Sequence, residues 1–180
     1  MSFHFPGETQ KLNEETRSTA DGSFVPLQDG VTHYELTGPE AAQAVVLVHG
    51  FSVPYFIFDP TFEFLAASGF RVLRYDLFGR GWSDRPRLRS DVGLFVRQLN
   101  DLLDALGIRS PVSLVGLSMG GPISASFTVR HPERVARNVF IDPSGTHALR
   151  LGALSLGLLP LVGEAAGALL GTEYLLDNIA

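Results

Sequence analysis

The sequence contains no cysteine, which excludes a disulfide-stapled scaffold, a thiolate metal site and a cysteine nucleophile. It also lacks a surplus of positive charge, since 14 Lys and Arg residues stand against 19 Asp and Glu residues. Without that surplus to neutralise phosphates, we expect no nucleic-acid partner. The 45% of hydrophobic and 18% of charged residues are typical of a globular protein, and 180 residues suit one domain or part of one.

Long uninterrupted hydrophobic runs are absent as well. Residues 1–20 carry five charged side chains and no apolar centre, so they do not form a secretory signal peptide, and we expect a cytoplasmic protein. The most apolar segment, residues 148–170, is interrupted by Arg150, Pro160 and Glu164, whereas a spanning helix needs about 20 apolar residues. We therefore expect no membrane span, and a membrane-anchored module is the less favoured alternative.

Short apolar runs alternate with helical patterns along the chain. Strands are predicted over 24–27, 31–36, 45–48, 71–75, 112–115 and 135–141, and helices over 62–67, 91–106 and 119–130. Asp29-Gly30 between the first two runs predicts a hairpin, and the later continuous runs are typical of buried parallel strands. This alternation predicts an α/β fold with a mostly parallel sheet.

The motif Gly116-Leu117-Ser118-Met119-Gly120 matches G-x-S-x-G and falls between a predicted strand and a predicted helix. Such a turn forces the serine into a strained backbone conformation, so small residues are needed two positions before and after it. The following helix directs its N-terminal N–H groups towards a reacting carbonyl. We predict that Ser118 is a nucleophile, and the alternative is a glycine-rich turn with a solvent-facing serine.

A second motif, His49-Gly50-Phe51, closes the first buried strand. A loop at this place donates one backbone N–H to an oxyanion, and the residue after the nucleophile donates the other. Phe51 and Met119 are therefore the predicted oxyanion donors. We expect His49 to hold the loop by hydrogen bonds, because a general base must reach Ser118 from across the site.

These two motifs and Asp76-Leu77-Phe78-Gly79-Arg80-Gly81-Trp82-Ser83 occur in one order with ordinary spacing. Together they resemble the α/β-hydrolase superfamily, in the cap-bearing branch of esterases, lipases, carbon–carbon bond hydrolases, haloperoxidase-like enzymes, epoxide hydrolases and dehalogenases. The resemblance covers residues 45–180 and implies a three-layer, mostly parallel sheet with no metal and no organic cofactor. Serine at position 118 differs from the aspartate that dehalogenases and epoxide hydrolases use.

The resemblance also divides the chain into an N-terminal lead (1–22), a partial hydrolase core (23–146) and the start of a helical cap (147–180). In the family, the segment after the second parallel strand packs under the site, so Asp76 and Arg80 are expected to brace it. The further arginines at 85, 87 and 89 are expected to form a solvated face with Arg80, and the less favoured alternative is a site for an acidic substrate group.

The chain departs from the family in the rest of the catalytic triad, where an acid and then a histidine follow the serine. His131 lies in the turn after the nucleophile helix and is expected to be structural, and His147 lies where the cap begins. The last two strands and the last helix, which carry the histidine, are absent, so an N-terminal fragment is expected. In most members of the family the acid follows the next strand, so the acid and the histidine are both expected beyond this chain. Asp142, at the end of the strand 135–141, is the less favoured candidate acid, and a plain turn is the other interpretation of that residue.

The sequence thus predicts a serine hydrolase for a small or medium apolar ester or related acyl substrate, acting through an acyl-enzyme at Ser118. The alternative is a non-catalytic binding protein, or an inactive fragment, that keeps the fold. Because a base is missing, we expect the 180-residue chain alone to hydrolyse esters near background. We also expect it to aggregate through the exposed strand 135–141.

Overall fold

Six strands form one sheet in the computed structural model, which describes residues 12–145. The strands are β1 (Ser23–Leu27), β2 (Gly30–Thr37), β3 (Ala44–Val48), β4 (Arg71–Tyr75), β5 (Val112–Leu117) and β6 (Val135–Ile141). The helices are α1 (Glu14–Arg17), α2 (Asp59–Ala67), α3 (Val92–Ala105) and α4 (Gly120–Arg130), with short 3₁₀ turns at Tyr55–Phe58 and Pro132–Arg134. Across the sheet, the order is β1-β2-β4-β3-β5-β6.

The sheet combines an antiparallel hairpin with four parallel strands. β1 and β2 pair through Leu27 and Gly30, which leaves a two-residue loop, and β2 runs antiparallel to β4. β4, β3, β5 and β6 are parallel to their neighbours. The predicted hairpin and the mostly parallel α/β sheet are therefore confirmed.

Strand β3 lies at the centre of the core, and all five of its residues are buried. Side chains alternate between the two faces of a strand. Val46 and Val48 pack into one cluster with residues of α3 and α4, whereas Val45 and Leu47 pack into a second cluster with Phe62 of α2. The helices thus cover both faces of the sheet and give the predicted three layers.

The helix boundaries follow capping chemistry. The Asp91 carboxylate accepts a hydrogen bond from the Leu94 N–H at 3.0 Å and begins α3, whose apolar stripe is buried as predicted. Gly107, at φ 66°, follows the end of that helix. α4 begins so close to β3 that a Cβ atom at Gly120 would collide with the Val48 carbonyl oxygen. Glycine at position 120 permits this approach.

β6 differs from the other parallel strands because, within residues 12–145, it pairs with β5 alone. Its last three residues, Val139, Phe140 and Ile141, are 50%, 47% and 39% exposed. The prediction of an apolar edge at this strand is therefore confirmed. The predicted cap segment lies outside the described residues, as do residues 1–11 of the predicted lead.

None of the helices between residues 12 and 145 has the length and hydropathy to cross a bilayer. The apolar segment 148–170 lies outside that range.

Candidate active site

Ser118 occupies a tight turn between β5 and α4. Its φ of 50° is in the left-handed region, where a non-glycine residue is strained by about 1–3 kcal/mol. A Cβ atom at Gly116 would lie 2.5 Å from the Gly120 carbonyl oxygen, and one at Gly121 would lie 2.6 Å from the Pro143 Cβ. The expected strained turn, and its need for small residues, are therefore confirmed.

The end of β6 holds this turn from one side. The Ser118 N–H donates to the Ile141 carbonyl at 2.9 Å. The Ser118 carbonyl accepts from the N–H groups of Gly121 and Ser144, each at 3.0 Å. These backbone bonds fix the serine peptide and leave its hydroxyl group out of the turn's own hydrogen bonds.

The loop after β3 approaches the serine from the other side. A Cβ atom at Gly50 would stand 3.2 Å from the Ser118 Cβ and 3.6 Å from its Oγ, so a larger side chain there would crowd the hydroxyl. Neither the Phe51 N–H nor the Met119 N–H has a hydrogen-bond acceptor within residues 12–145. Two backbone donors thus remain on the residues that flank Ser118 in space and in sequence.

His49 braces the loop and is fully buried. Its Nδ1 donates to the Gly50 carbonyl at 2.8 Å, and its Nε2 accepts from the Leu77 N–H at 3.0 Å. Burial lowers the pKa of His49, and this effect outweighs the Asp76 carboxylate, which raises it. Both ring nitrogens of the neutral imidazole are engaged, so the geometry agrees with the expected structural role.

Asp76 organises the segment that follows β4. Its Oδ1 accepts from the Tyr55 N–H at 3.0 Å, and its Oδ2 accepts from the Trp82 N–H at 2.9 Å. Oδ2 also lies 2.8 Å from Nδ1 of His33, whose Nε2 donates to the Asp21 carbonyl at 2.6 Å. With its carboxylate fully buried and bonded on both oxygens, Asp76 braces the loop as expected.

Arg80 belongs to that segment and contacts the loop after β3. Its Nε donates to the Phe51 carbonyl at 3.1 Å and its Nη1 to the Phe78 carbonyl at 3.2 Å. Burial lowers the pKa of this guanidinium. The arginines at 85, 87 and 89 are exposed, in agreement with the expected solvated face, whereas Arg80 is only partly exposed and braces the loop.

Sequence reasoning missed Gln98, a buried amide on the apolar face of α3. Its Oε1 accepts from the Phe78 N–H at 3.0 Å, and its Nε2 donates to the Thr32 Oγ1 at 2.9 Å and to the Asp76 carbonyl at 3.0 Å. The signal was present in the spacing, because position 98 lies between Leu94 and Leu102 on the helical stripe. A polar residue there needs buried partners.

No general base for Ser118 is found among the described histidines. Both ring nitrogens of His33 and of His49 make the contacts given above. The His131 ring packs on the Phe127 ring, with 4.9 Å between the ring centroids. His131 follows the 11-residue helix α4, which places it about 16 Å from the helix start, in agreement with its structural interpretation. His147 lies outside the described residues.

Asp142 remains a predicted acid. Leu117 and Ile141 are paired in the β5–β6 register, so Ser118 and Asp142 are the next residues along two neighbouring strands. Asp142 also has a positive φ, 41°, and is exposed. Within residues 12–145, there is no group of three or more His, Asp or Glu side chains that could hold a metal ion.

The chain belongs to the alpha/beta hydrolase fold family, whose sequence profile matches residues 43–165. It is 30% identical over 126 residues to carboxylesterase YbfK of Bacillus subtilis, which covers 69% of this chain and 42% of that protein. It is 31% identical over 163 residues to a 2-hydroxy-6-oxo-6-phenylhexa-2,4-dienoate hydrolase of Comamonas testosteroni, which covers 86% and 53%. The chain thus spans about half the length of these relatives.

Solved structures of similar proteins have the same fold. The meta-cleavage product hydrolase CumD of Pseudomonas fluorescens IP01 superimposes with a TM-score of 0.65 at 28% identity, over 71% of this chain and 47% of that one. The structure of the Bacillus subtilis carboxylesterase gives a TM-score of 0.63 at 30% identity, over 69% and 43%. These similar proteins are a carboxylesterase, a dienoate hydrolase and a meta-cleavage product hydrolase.

Proposed function

We propose that this protein is a serine hydrolase that cleaves a small or medium apolar ester, or a related acyl substrate, through an acyl-enzyme at Ser118. The observation that carries the proposal is the strained serine at φ 50°, beside the N–H groups of Phe51 and Met119, which have no hydrogen-bond acceptor within residues 12–145. Strain in a non-glycine residue persists where surrounding structure over-determines it, and such residues cluster at active sites.

In the proposed reaction, the Ser118 Oγ attacks the acyl carbonyl and loses its proton to a general base. The carbonyl oxygen becomes an oxyanion and accepts hydrogen bonds from the Phe51 and Met119 N–H groups. Collapse of this intermediate expels the protonated leaving group and leaves an acyl-serine, which water then hydrolyses. Each oxyanion donor contributes about 3 kcal/mol to lowering the barrier.

The base in this proposal is a histidine outside residues 12–145, because each described histidine is held elsewhere. Asp142 is the proposed orienting acid, since it follows β6 directly beside the serine turn. If the 180-residue chain holds no such base, its turnover stays near the background left by an oxyanion hole alone, about 10³–10⁴-fold over water. Turnover by this chain that is lost in Ser118→Ala would contradict that expectation and point to His147.

The apolar character of the substrate is inferred from the loop after β3. Phe51, Phe56 and Ile57 lie in this short segment and are 67%, 56% and 43% exposed. Exposed apolar side chains beside a site mark a binding surface for apolar groups. The similar carboxylesterase supports an ester, and the similar 2-hydroxy-6-oxo-6-phenylhexa-2,4-dienoate hydrolase supports a related oxo compound as substrate.

A fluorophosphonate probe tests the nucleophile directly. The full product of the gene, with the variants Ser118→Ala and Ser68→Ala, is treated with the probe and mapped by mass spectrometry. Ser68 is the matched control, because it is exposed and precedes the amino end of β4, whereas Ser118 follows the carboxyl end of the parallel strand β5. We expect labelling of the wild type and of Ser68→Ala at Ser118, and none of Ser118→Ala.

The same experiment separates the enzyme from the alternative of a non-catalytic binding protein. An unlabelled but folded wild type that binds apolar esters without turnover favours the binding protein. Assays with chromogenic esters of increasing acyl length, and with a 2-hydroxy-6-oxo dienoate, then distinguish ester hydrolysis from carbon–carbon cleavage.

A further inference from the structure

Arg80 contacts Phe51, whose N–H is one of the two proposed oxyanion donors. Its Nε donates to the Phe51 carbonyl at 3.1 Å, and its guanidinium lies over the Phe51 ring, 4.6 Å from the centroid. We propose that Arg80 is a positioning residue, which holds the Phe51–Ser52 peptide through the Phe51 carbonyl and so restricts the Phe51 backbone, keeping the Phe51 N–H directed at the oxyanion. This inference rests on the proposed function of the loop.

The Phe51 N–H belongs to a peptide that can rotate unless its neighbours are held. On one side, His49 donates to the Gly50 carbonyl at 2.8 Å, which belongs to the same peptide as that N–H. On the other side, Arg80 donates to Phe51's own carbonyl. With both carbonyls bonded, the backbone torsions of Phe51 are fixed at each end, and the N–H keeps one direction.

The Phe51 side chain supplies little restraint of its own. It is 67% exposed, and its only ring contact within residues 12–145 is the Arg80 guanidinium. Because Phe51 is so exposed, its contact with Arg80 restrains its position. Buried residues of the core are restrained by the packing of their neighbours instead.

Arginine suits this place because its planar fork donates in two directions and stacks on an aromatic ring at once. While Nε holds the Phe51 carbonyl, Nη1 donates to the Phe78 carbonyl at 3.2 Å, and the Phe95 ring lies 5.7 Å away. Phe78 and Phe95 are both buried, so the arginine links an exposed loop to the core. A lysine keeps the charge but lacks the rigid fork.

Arg80 also has no acidic partner within residues 12–145, although it is half-buried. A carboxylate beside it would compete for its donors and could draw the guanidinium away from the loop. In its absence, the donors are directed to carbonyl groups. This arrangement fits a clamp on the backbone rather than a surface ion pair.

Kinetics on the full gene product test the proposal with Arg80→Met, Arg80→Lys and the control Arg87→Met, an exposed arginine of the same segment. Oxyanion hydrogen bonds tighten in the transition state, so their loss lowers kcat more than it changes KM. We expect Arg80→Met to lower kcat about 10- to 100-fold, less than the 10²–10³ lost with a whole donor. KM should stay within about twofold, as for interactions absent from the ground state.

A reversible trifluoromethyl ketone adds a readout that loss of folding alone would not move. It forms a tetrahedral oxyanion on the serine, so its affinity should fall by the same factor as kcat, per active site titrated with fluorophosphonate. Arg80→Lys should recover only part of the loss, and Arg87→Met should match the wild type.

Three results would overturn the proposal. These are an unchanged kcat and ketone affinity in Arg80→Met, a loss fully explained by fewer titrated sites, and full recovery in Arg80→Lys, which would assign the effect to charge alone. A wild type that fluorophosphonate does not label would instead refute the proposed function itself, and the inference with it.

Discussion

Strands β3 and β6 each contain five apolar residues but have very different surroundings. All five residues of β3 are buried, whereas the last three of β6 are 39–50% exposed. β3 has a strand on each side and helices over both faces, while β6 pairs only with β5 in the described residues. The comparison teaches that the burial of a strand is set by its neighbours rather than by its own residues.

The loops that follow these strands differ in the same way. The loop after β3 is held by the buried His49 and by Arg80, and it carries the proposed donor Phe51. The loop after β6 is largely exposed, and Ser144 contributes one backbone bond to the serine turn. The proposed oxyanion side of the site is therefore tied to the core through His49 and Arg80, while the side of Asp142 has no such side-chain bonds within residues 12–145.

The largest expected difference between the two strands is in core packing. Leu47→Ala in β3 removes a fully buried side chain and should lower the free energy of unfolding by about 2–5 kcal/mol. Val139→Ala in β6 is the matched change at a half-exposed site, and we expect about 0.5 kcal/mol or less there. Urea unfolding of the 180-residue chain, in which Val139 has this exposure, measures both values. Equal losses would show that β6 is as well packed as β3.

The next largest effect concerns the loop after β3. His49→Ala leaves the Gly50 carbonyl and the Leu77 N–H without their partner, and each unsatisfied buried group costs about 1–3 kcal/mol. His131→Ala is the control, because that ring packs on Phe127 and makes no side-chain hydrogen bond within residues 12–145. We expect thermal unfolding to shift more in the first variant. A larger shift in His131→Ala would contradict the assigned role of His49.

A charge on the open edge should change association more than stability. Val139→Lys places a lysine on β6, and edge lysines oppose pairing between sheets of separate molecules. We expect less self-association of the 180-residue chain by light scattering, with the free energy of unfolding changed by about 0.5 kcal/mol or less. If self-association is unchanged in Val139→Lys, the chains associate through a surface other than β6.

The core around β3 could be predicted from the sequence because local patterns decide it. The apolar run 45–48 and the G-x-S-x-G turn each carry their own physical signal, and both are present in the structure. The oxyanion roles of Phe51 and Met119 and the acid role of Asp142 stay predictions, since they depend on a bound substrate and on residues outside 12–145.

Long-range polar contacts were the part that local patterns could not supply. Nothing near Gln98 in sequence indicates that its amide bonds Thr32 and the Asp76 carbonyl, 66 and 22 residues away. The Arg80 contact with the Phe51 carbonyl spans 29 residues and depends on how two loops meet. Such pairs are set by the assembled fold.

The smallest expected effect lies beside strand β2, where Asp84 accepts from the Val31 N–H at 2.7 Å and from Arg17 at 2.6 Å. Burial alone would raise the pKa of Asp84, but the Val31 N–H and the Arg17 guanidinium outweigh it and hold the pKa below its usual value. Since the folded-state pKa is the lower one, this stabilisation is complete above the unfolded-state pKa of about 3.9. It is lost as the pH falls through the folded-state value.

Asp84→Asn should remove that pH dependence. The carboxylate is 36% exposed, so solvent screening limits its contribution to about 1 kcal/mol or less. Urea unfolding at pH 6 and at pH 3 should therefore show a smaller loss of stability in Asp84→Asn than in the wild type. The exposed Glu133→Gln is the control and should behave like the wild type. If Asp84→Asn loses as much stability as the wild type between these pH values, ionisation of Asp84 and its bonds to Val31 and Arg17 do not stabilise the fold.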